Sequence, residues 1–236
     1  MTTYFAFPAG ESLQTGSHEL LQRFAEAPQE PHHSLFVTVA NAFADQVIQY
    51  LFLNMIHNMD GQSRAARILD KLAGLIKATV HTLIRQSLHN RSNEELLPLL
   101  DYVRDRQLVR QENGVAVDYV CFPLPLDLAG QFTHVFQQVD HGHAHEHRLA
   151  LRDAMLGFAE LSHFHFYEEP TSLLKLGFVT RKAASMGGAS IKSGSRSSIN
   201  QLFPQLSFDE LVDFVEYFRK MFIEVAVDEP VSLPVQ

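Results

Sequence analysis

The chain has 236 residues, of which 46% are hydrophobic and 19% are charged, and its formal net charge is −8. This composition is that of a folded globular protein and excludes a chain disordered throughout. An acidic net charge also argues against non-specific coating of nucleic acid. The single cysteine, Cys121, excludes an intrachain disulfide and favours a reducing compartment. Because the N-terminus lacks the basic start and apolar run of a signal peptide, we expect a cytoplasmic protein.

The predicted elements of the first hundred residues are helices. A short helix is predicted around Ser17, and a long apolar helix over residues 34–59. A third helix begins near Ser63, since apolar residues recur there at steps of three and four. The spacing of Ser92 and Glu95 is that of a capping box and predicts the start of a fourth helix.

Residues 35–56 are apolar enough, and long enough, to span a bilayer. Polar groups are costly inside a membrane, and five interrupt this stretch. We therefore predict a buried central helix or one that forms a homodimer, with no membrane partner. The interrupting residues are Asn41, Asp45, Gln46, Gln49 and Asn54.

The hydrophobic period changes over residues 108–122, where two short β-favouring segments flank Asn113-Gly114. This dipeptide is the strongest short-range signal for a β-hairpin. Helical patterns resume over 126–138, from about 143 to 167, after Pro170 and over 207–225, while the Gly/Ser-rich residues 186–198 are predicted as a loop. The fold class is therefore mainly α, a bundle-like single domain (1–236) with one small β-hairpin.

Charge is unevenly distributed, and two segments are basic. Residues 62–110 carry nine basic and five acidic side chains, and residues 170–208 carry five basic side chains and no acidic one. Backbone N–H groups freed by small residues, beside cations, can bind an anion, so the loop is the leading candidate for a binding role. Its predicted ligand-binding residues are Arg181, Lys182, Lys192 and Arg196. Ion pairing of both basic segments with acidic parts of the fold is the simpler alternative.

Four histidines alternate in HGHAHEH, residues 141–147. If a helix starts near His143, then His143 and His147 lie one turn apart and supply two ligands for a divalent metal. A third ligand must come from elsewhere, and the candidates are Asp140, Glu146 and His134. The Glu-x-x-His spacing of Glu160 and His163 does not predict a di-metal bundle, because no second helix carries its counterpart.

The two helices between Ser63 and Gln107, followed directly by the hairpin LVRQENGVAVDYV, resemble a winged-helix DNA-binding domain over residues 63–123. The resemblance implies phosphate contacts from Arg104, Arg106 and Arg110. Glu94 and Glu95 would lie unfavourably at the start of the recognition helix.

Three functions therefore stay open from the sequence. The first is a non-catalytic regulatory or binding protein that takes an anionic ligand or partner on residues 181–196. The second is a winged-helix-like DNA-binding regulator, and the third is a metal-dependent enzyme using the His-rich segment. They differ in what must be bound.

Overall fold

Helices dominate the computed structural model, which describes residues 1–57 and 63–225. The fold is 72% helical and contains a small four-stranded antiparallel sheet, so the predicted mainly α class is confirmed. The first strand, β1 (Thr2–Pro8), is followed by α1 (Glu11–Glu26), which begins six residues earlier than the prediction around Ser17. The predicted ends of the second helix at Met59 and Gly61 lie outside the described residues.

The long apolar segment forms α2 (His33–Ile48), a π-helical turn (Gln49–Leu53) and α3 (Asn54–His57) in one continuous run. Next comes α4 (Arg64–Leu88), whose first turn is capped by Ser63, with the hydroxyl accepting a bond from the Ala66 N–H at 3.0 Å. The helix α5 (Asn93–Asp105) has the predicted capping box of Ser92 and Glu95.

The predicted hairpin is confirmed and consists of β2 (Gln107–Glu112) and β3 (Val115–Pro123). Asn113 and Gly114 join the strands with φ angles of 52° and 81°, a left-handed pair that a two-residue hairpin turn requires. The hairpin belongs to a larger sheet of order β2-β3-β1-β4, in which β4 is Phe222–Val225. Neither β1 nor β4 is predicted from the sequence.

The prediction of a helix to residue 225 was therefore wrong at its end. The last helix, α10 (Phe208–Arg219), has its predicted capping box at Ser207 and Glu210, but the chain then turns into β4. β4 pairs with β1, and Phe222 lies opposite Phe5. Short strands of this kind depend on a partner distant in sequence, so local propensity does not reveal them.

Between β3 and α10 the chain forms further helices around the sheet. These are α6 (Leu126–Asp140), α7 (Arg148–His163), a second π-helical turn (Phe164–Glu168), α8 (Glu169–Ser172), α9 (Phe178–Leu202) and a 3₁₀ turn (Phe203–Gln205). One face of the sheet packs on these helices through phenylalanines, with the Phe5 ring centroid 4.7 Å from that of Phe158.

The prediction of a loop over residues 186–198 was wrong, because the whole segment lies inside α9. Its glycines allow close helix packing. A Cβ on Gly188 would come within 2.8 Å of Tyr167 Cε1, and one on Gly194 within 3.0 Å of Leu75 Cδ2. Packing against α4 and the second π-helical turn thus outweighs the roughly 1 kcal/mol per residue that glycine costs in a helix.

Candidate functional site

A large apolar cavity lies between α2, α4, α7 and α9, and we call it the central cavity. Its volume is about 240 Å³, and its lining is almost entirely aliphatic and aromatic. Phe43, Leu72, Phe158 and Ile191 each represent one of the four walls. A concave, mostly apolar space with a few polar groups is the usual form of a small-molecule site.

In two walls of the central cavity, pairs of adjacent lining residues recur every four residues along the chain. A step of four residues overshoots one α-helical turn by about 40°, so the lining pairs would drift around a regular helix. Each wall contains a π-helical turn, which takes in one extra residue and reduces this drift. The pairs are Val39–Ala40, Phe43–Ala44, Val47–Ile48 and Leu51–Phe52 in the first wall, and Phe158–Ala159, Ser162–His163, Phe166–Tyr167 and Pro170–Thr171 in the second.

The π-helical turns are each closed by an i→i+5 hydrogen bond. The Asn54 N–H donates to the Gln49 carbonyl, and the Glu169 N–H donates to the Phe164 carbonyl. Such turns occur preferentially at functional sites. The repeat is visible in the sequence and is the signal that could have indicated these walls.

Five polar side chains of the cavity lining have a hydrogen-bonding atom without a partner in the described part of the chain. Two of these atoms, Arg106 Nε and Gln107 Oε1, belong to partly exposed residues, and the other three belong to buried ones. These three are the Ser87 hydroxyl, the Ser162 hydroxyl and His163 Nδ1. All three residues are more than nine-tenths buried. Unpaired buried polar atoms are rare in folded proteins, and each calls for an explanation such as a bound molecule.

His163 is held by its neighbours in a defined way. Its ring stacks on Tyr167 with centroids 5.1 Å apart, and its Nε2 lies 3.3 Å from the Glu168 carboxylate. A carboxylate beside Nε2 favours the tautomer that carries its proton there, which leaves Nδ1 as an acceptor. Burial lowers the pKa of His163, and the charge of Lys192 lowers it further against the opposing effect of Glu168.

At one end of the central cavity, Arg106 is bound in a buried cluster with His165 and Glu169. Its guanidinium donates to Glu169 and lies 3.1 Å from His165 Nδ1, which is 3.0 Å from the same carboxylate. It also lies over the Tyr102 ring, whose hydroxyl donates to the His165 carbonyl at 2.5 Å. The cluster therefore joins α5 to the second π-helical turn and α8.

The four predicted anion-binding residues all lie on α9 and are exposed. Arg181 donates to the Leu176 carbonyl at 3.0 Å, and Arg196 lies 4.0 Å from Glu160. Lys182 and Lys192 are in no ion pair with a described residue. The backbone N–H groups expected to bind an anion are used instead in helical hydrogen bonds, so only the side chains remain available.

The helix expected to start near His143 starts at Arg148, and residues 141–147 form turns. His143 lies 3.2 Å from Glu146, while His147 packs against His134 with ring centroids 5.5 Å apart. Within residues 1–57 and 63–225, no group of three or more His, Cys, Asp or Glu side chains is arranged to hold a metal ion. Of the two predicted metal ligands, His147 therefore has a histidine neighbour, His134. The described residues nevertheless provide no group of three ligands around His143 and His147.

Two of the three predicted DNA-contact residues are already in ion pairs. Arg104 bonds Asp101 at 3.1 Å, and Arg106 belongs to the buried cluster with Glu169, while Arg110 is exposed on β2. The strand β3, expected in a free wing, pairs with β2 on one side and β1 on the other.

The segment His33–His57 has a mean hydropathy of 1.2 over its most apolar window, 28% of which is buried. By length and composition alone it could cross a membrane, a test that core helices of soluble proteins also pass. In the structure α2 packs against α1 and α4, and Asp45 binds Lys77 at 2.9 Å and His81 at 2.9 Å.

Comparison with protein families, curated sequences and solved structures found no match for this chain.

Proposed function

We propose that the protein is a non-catalytic binding protein that encloses a largely apolar small molecule in its central cavity. The observation that carries this proposal is the cavity itself, about 240 Å³ within an apolar lining. Interiors are otherwise packed as densely as organic crystals, and a void forfeits about 24 cal/mol per Å³. An apolar space of this size is therefore a feature that a bound ligand would stabilise.

The size of the cavity sets the size of the ligand. An apolar cavity of roughly 150 Å³ in another protein binds benzene. The central cavity is larger, and two fused aromatic rings are a suitable first probe. Burial of such a probe gains about 25 cal/mol per Å² of apolar surface.

The test is a calorimetric titration with naphthalene of the wild-type protein and of two variants of α7. Ala159 lines the cavity and Ala150 is exposed on the same helix. We expect naphthalene to bind the wild type and Ala150→Leu at one site with equal affinity. Ala159→Leu fills part of the cavity, and we expect it to weaken binding at least tenfold.

A second cavity-filling variant, Ala44→Leu, fills the cavity from α2 and guards against local misfolding caused by Ala159→Leu. Absence of naphthalene binding by the wild type contradicts the proposal. Equal binding by wild type and both cavity-filling variants contradicts it as well, because the probe would then bind elsewhere.

A second candidate function is the binding of an anionic partner by the basic faces of α4 and α9. These helices pack antiparallel, since Gly187 faces Thr79 and Gly194 faces Leu75. Together they carry nine basic side chains and one acidic side chain, Asp70. The charge expected from the sequence is therefore concentrated on two adjacent helices, although the loop is not formed.

Heparin affinity at rising salt tests this second function. Replacement of both Lys192 and Arg196 by Ala is expected to lower the salt concentration at which the protein elutes from heparin, because exposed cations contribute to polyanion binding. The double variant Arg23→Ala with Lys220→Ala removes the same charge from α1 and the end of α10 and serves as the control. Identical elution of both double variants counts against α9 as the binding face.

The remaining expectations stay predictions. They are a cytoplasmic location, a homodimer through residues 35–56, DNA binding, and a metal-dependent activity of the His-rich segment.

A further inference from the structure

Ser162 and His163 lie next to each other in α7, and both line the central cavity. The Ser162 hydroxyl can donate a hydrogen bond, and His163 Nδ1 can accept one in the tautomer that the Glu168 carboxylate favours. Both atoms lack a partner among the described residues. The two atoms thus present one donor and one acceptor from adjacent positions of the chain.

From this pairing we infer that the ligand carries a hydroxyl group, a phenol or an alcohol on an apolar body, which Ser162 and His163 recognise together. A hydroxyl donates to His163 Nδ1 and accepts from Ser162 with one oxygen. The inference rests on the proposed function, since it assumes that the central cavity holds a ligand.

Groups that only accept hydrogen bonds, or form none, fit this pair less well. A carboxylate only accepts, so it would satisfy Ser162 but meet the lone pair of His163 Nδ1. A ketone also accepts only, and a hydrocarbon satisfies neither atom. Leaving a buried acceptor unsatisfied costs about 1–3 kcal/mol, which makes the hydroxyl the favoured partner.

The lowered pKa of His163 is consistent with this role. Burial, the first cause, favours the neutral ring, and the charge of Lys192 acts in the same direction. A neutral imidazole keeps an acceptor at Nδ1, whereas a protonated ring carries donors at both nitrogens.

The test compares 2-naphthol with 2-methylnaphthalene, two probes of the same shape that differ in a hydroxyl and a methyl group. We expect the wild type to bind 2-naphthol about three- to tenfold more tightly than either variant does, since each hydrogen bond contributes about 0.5–1.5 kcal/mol. Ser162→Ala and His163→Phe should each weaken 2-naphthol binding about three- to tenfold. Affinity for 2-methylnaphthalene should change by less than about threefold in both.

Ser190→Ala is the matched control, because Ser190 is exposed on α9 and its hydroxyl bonds the Met186 carbonyl. It should leave the affinity for both probes unchanged. If Ser162→Ala and His163→Phe weaken both probes equally, or weaken neither, the inference is wrong while the proposed function stands. If neither probe binds the wild type, the proposed function itself fails.

Discussion

Glu169 accepts hydrogen bonds from Arg106 and His165, and it is the one carboxylate in their cluster. The Arg106 side chain is 12% exposed and that of Glu169 is 30% exposed, so solvent screens their attraction only in part. Removal of one partner from such a pair leaves the other charge poorly solvated. The cluster is therefore a local source of stability rather than a free cationic site.

We predict that Glu169→Ala lowers the free energy of unfolding by about 2 kcal/mol, measured by urea denaturation. Asp101→Ala is the control, because Asp101 pairs with Arg104 on the surface and its side chain is 66% exposed. That change should cost less than about 0.5 kcal/mol. Equal losses in the two variants would show that the buried cluster contributes no more than a surface pair.

The stability of the protein should also fall as the pH drops below about 7. Burial lowers the pKa of both His163 and His165 from the ordinary value of 6.5. Below that value the unfolded chain binds protons that the folded protein does not, so acid favours unfolding. Thermal melts between about pH 7.5 and 5.5 should show a falling Tm, with a shallower fall in His163→Phe.

A second loss of stability is expected at more acidic pH. Burial raises the pKa of Glu169, but hydrogen bonds from His165 and Arg106 outweigh this effect and leave it below its ordinary value of 4.5. The stabilisation by this carboxylate is thus complete above that value and is lost as the pH falls through the lowered pKa. A Tm that rises on acidification from neutral pH would contradict both arguments.

At the scale of elements, α9 is a glycine-containing helix that packs closely against its neighbours. Gly188→Ala places a methyl group against the Tyr167 ring, where a Cβ would lie 2.8 Å from Cε1. Gly74→Ala places the same group on α4, where no heavy atom lies within 4 Å. The pair therefore tests whether the Gly/Ser-rich segment packs as a helix.

We predict that Gly74→Ala stabilises the protein by about 0.5–1 kcal/mol, through higher helix propensity. Gly188→Ala should destabilise it by about 1–2 kcal/mol, because overpacking exceeds the same propensity gain. Urea denaturation measures both. Similar stabilisation by the two substitutions would mean that Gly188 does not approach Tyr167. That result would favour the loop that the Gly/Ser-rich composition predicts.

Elements with local signals were predictable from the sequence. The capping boxes at Ser92 and Ser207 and the turn at Asn113-Gly114 act within a few residues, and the structure contains all three. By contrast, β1 and β4 exist because distant strands pair, and α9 because its small residues fit α4. Neither cause can be read from a window of one segment.

At the scale of the whole molecule, the central cavity was not predictable from its parts. Its walls come from two pairs of helices, α2 with α4 and α7 with α9, and the two pairs are far apart in sequence. In the sequence His163 forms a Glu-x-x-His motif with Glu160, whereas its carboxylate neighbour in the structure is Glu168. The four-residue repeat indicated two of the walls, but not that they face each other.

The measurement that tests the central claim most directly is diffraction from crystals pressurised with xenon. Xenon enters dry apolar cavities and scatters strongly enough to be located. We predict xenon density between Phe43 of α2, Leu72 of α4 and Phe166 of the second π-helical turn, with none there in Ala159→Leu. Wild-type crystals without density at this position, with these side chains packed in contact, would contradict the central cavity and the function proposed for it.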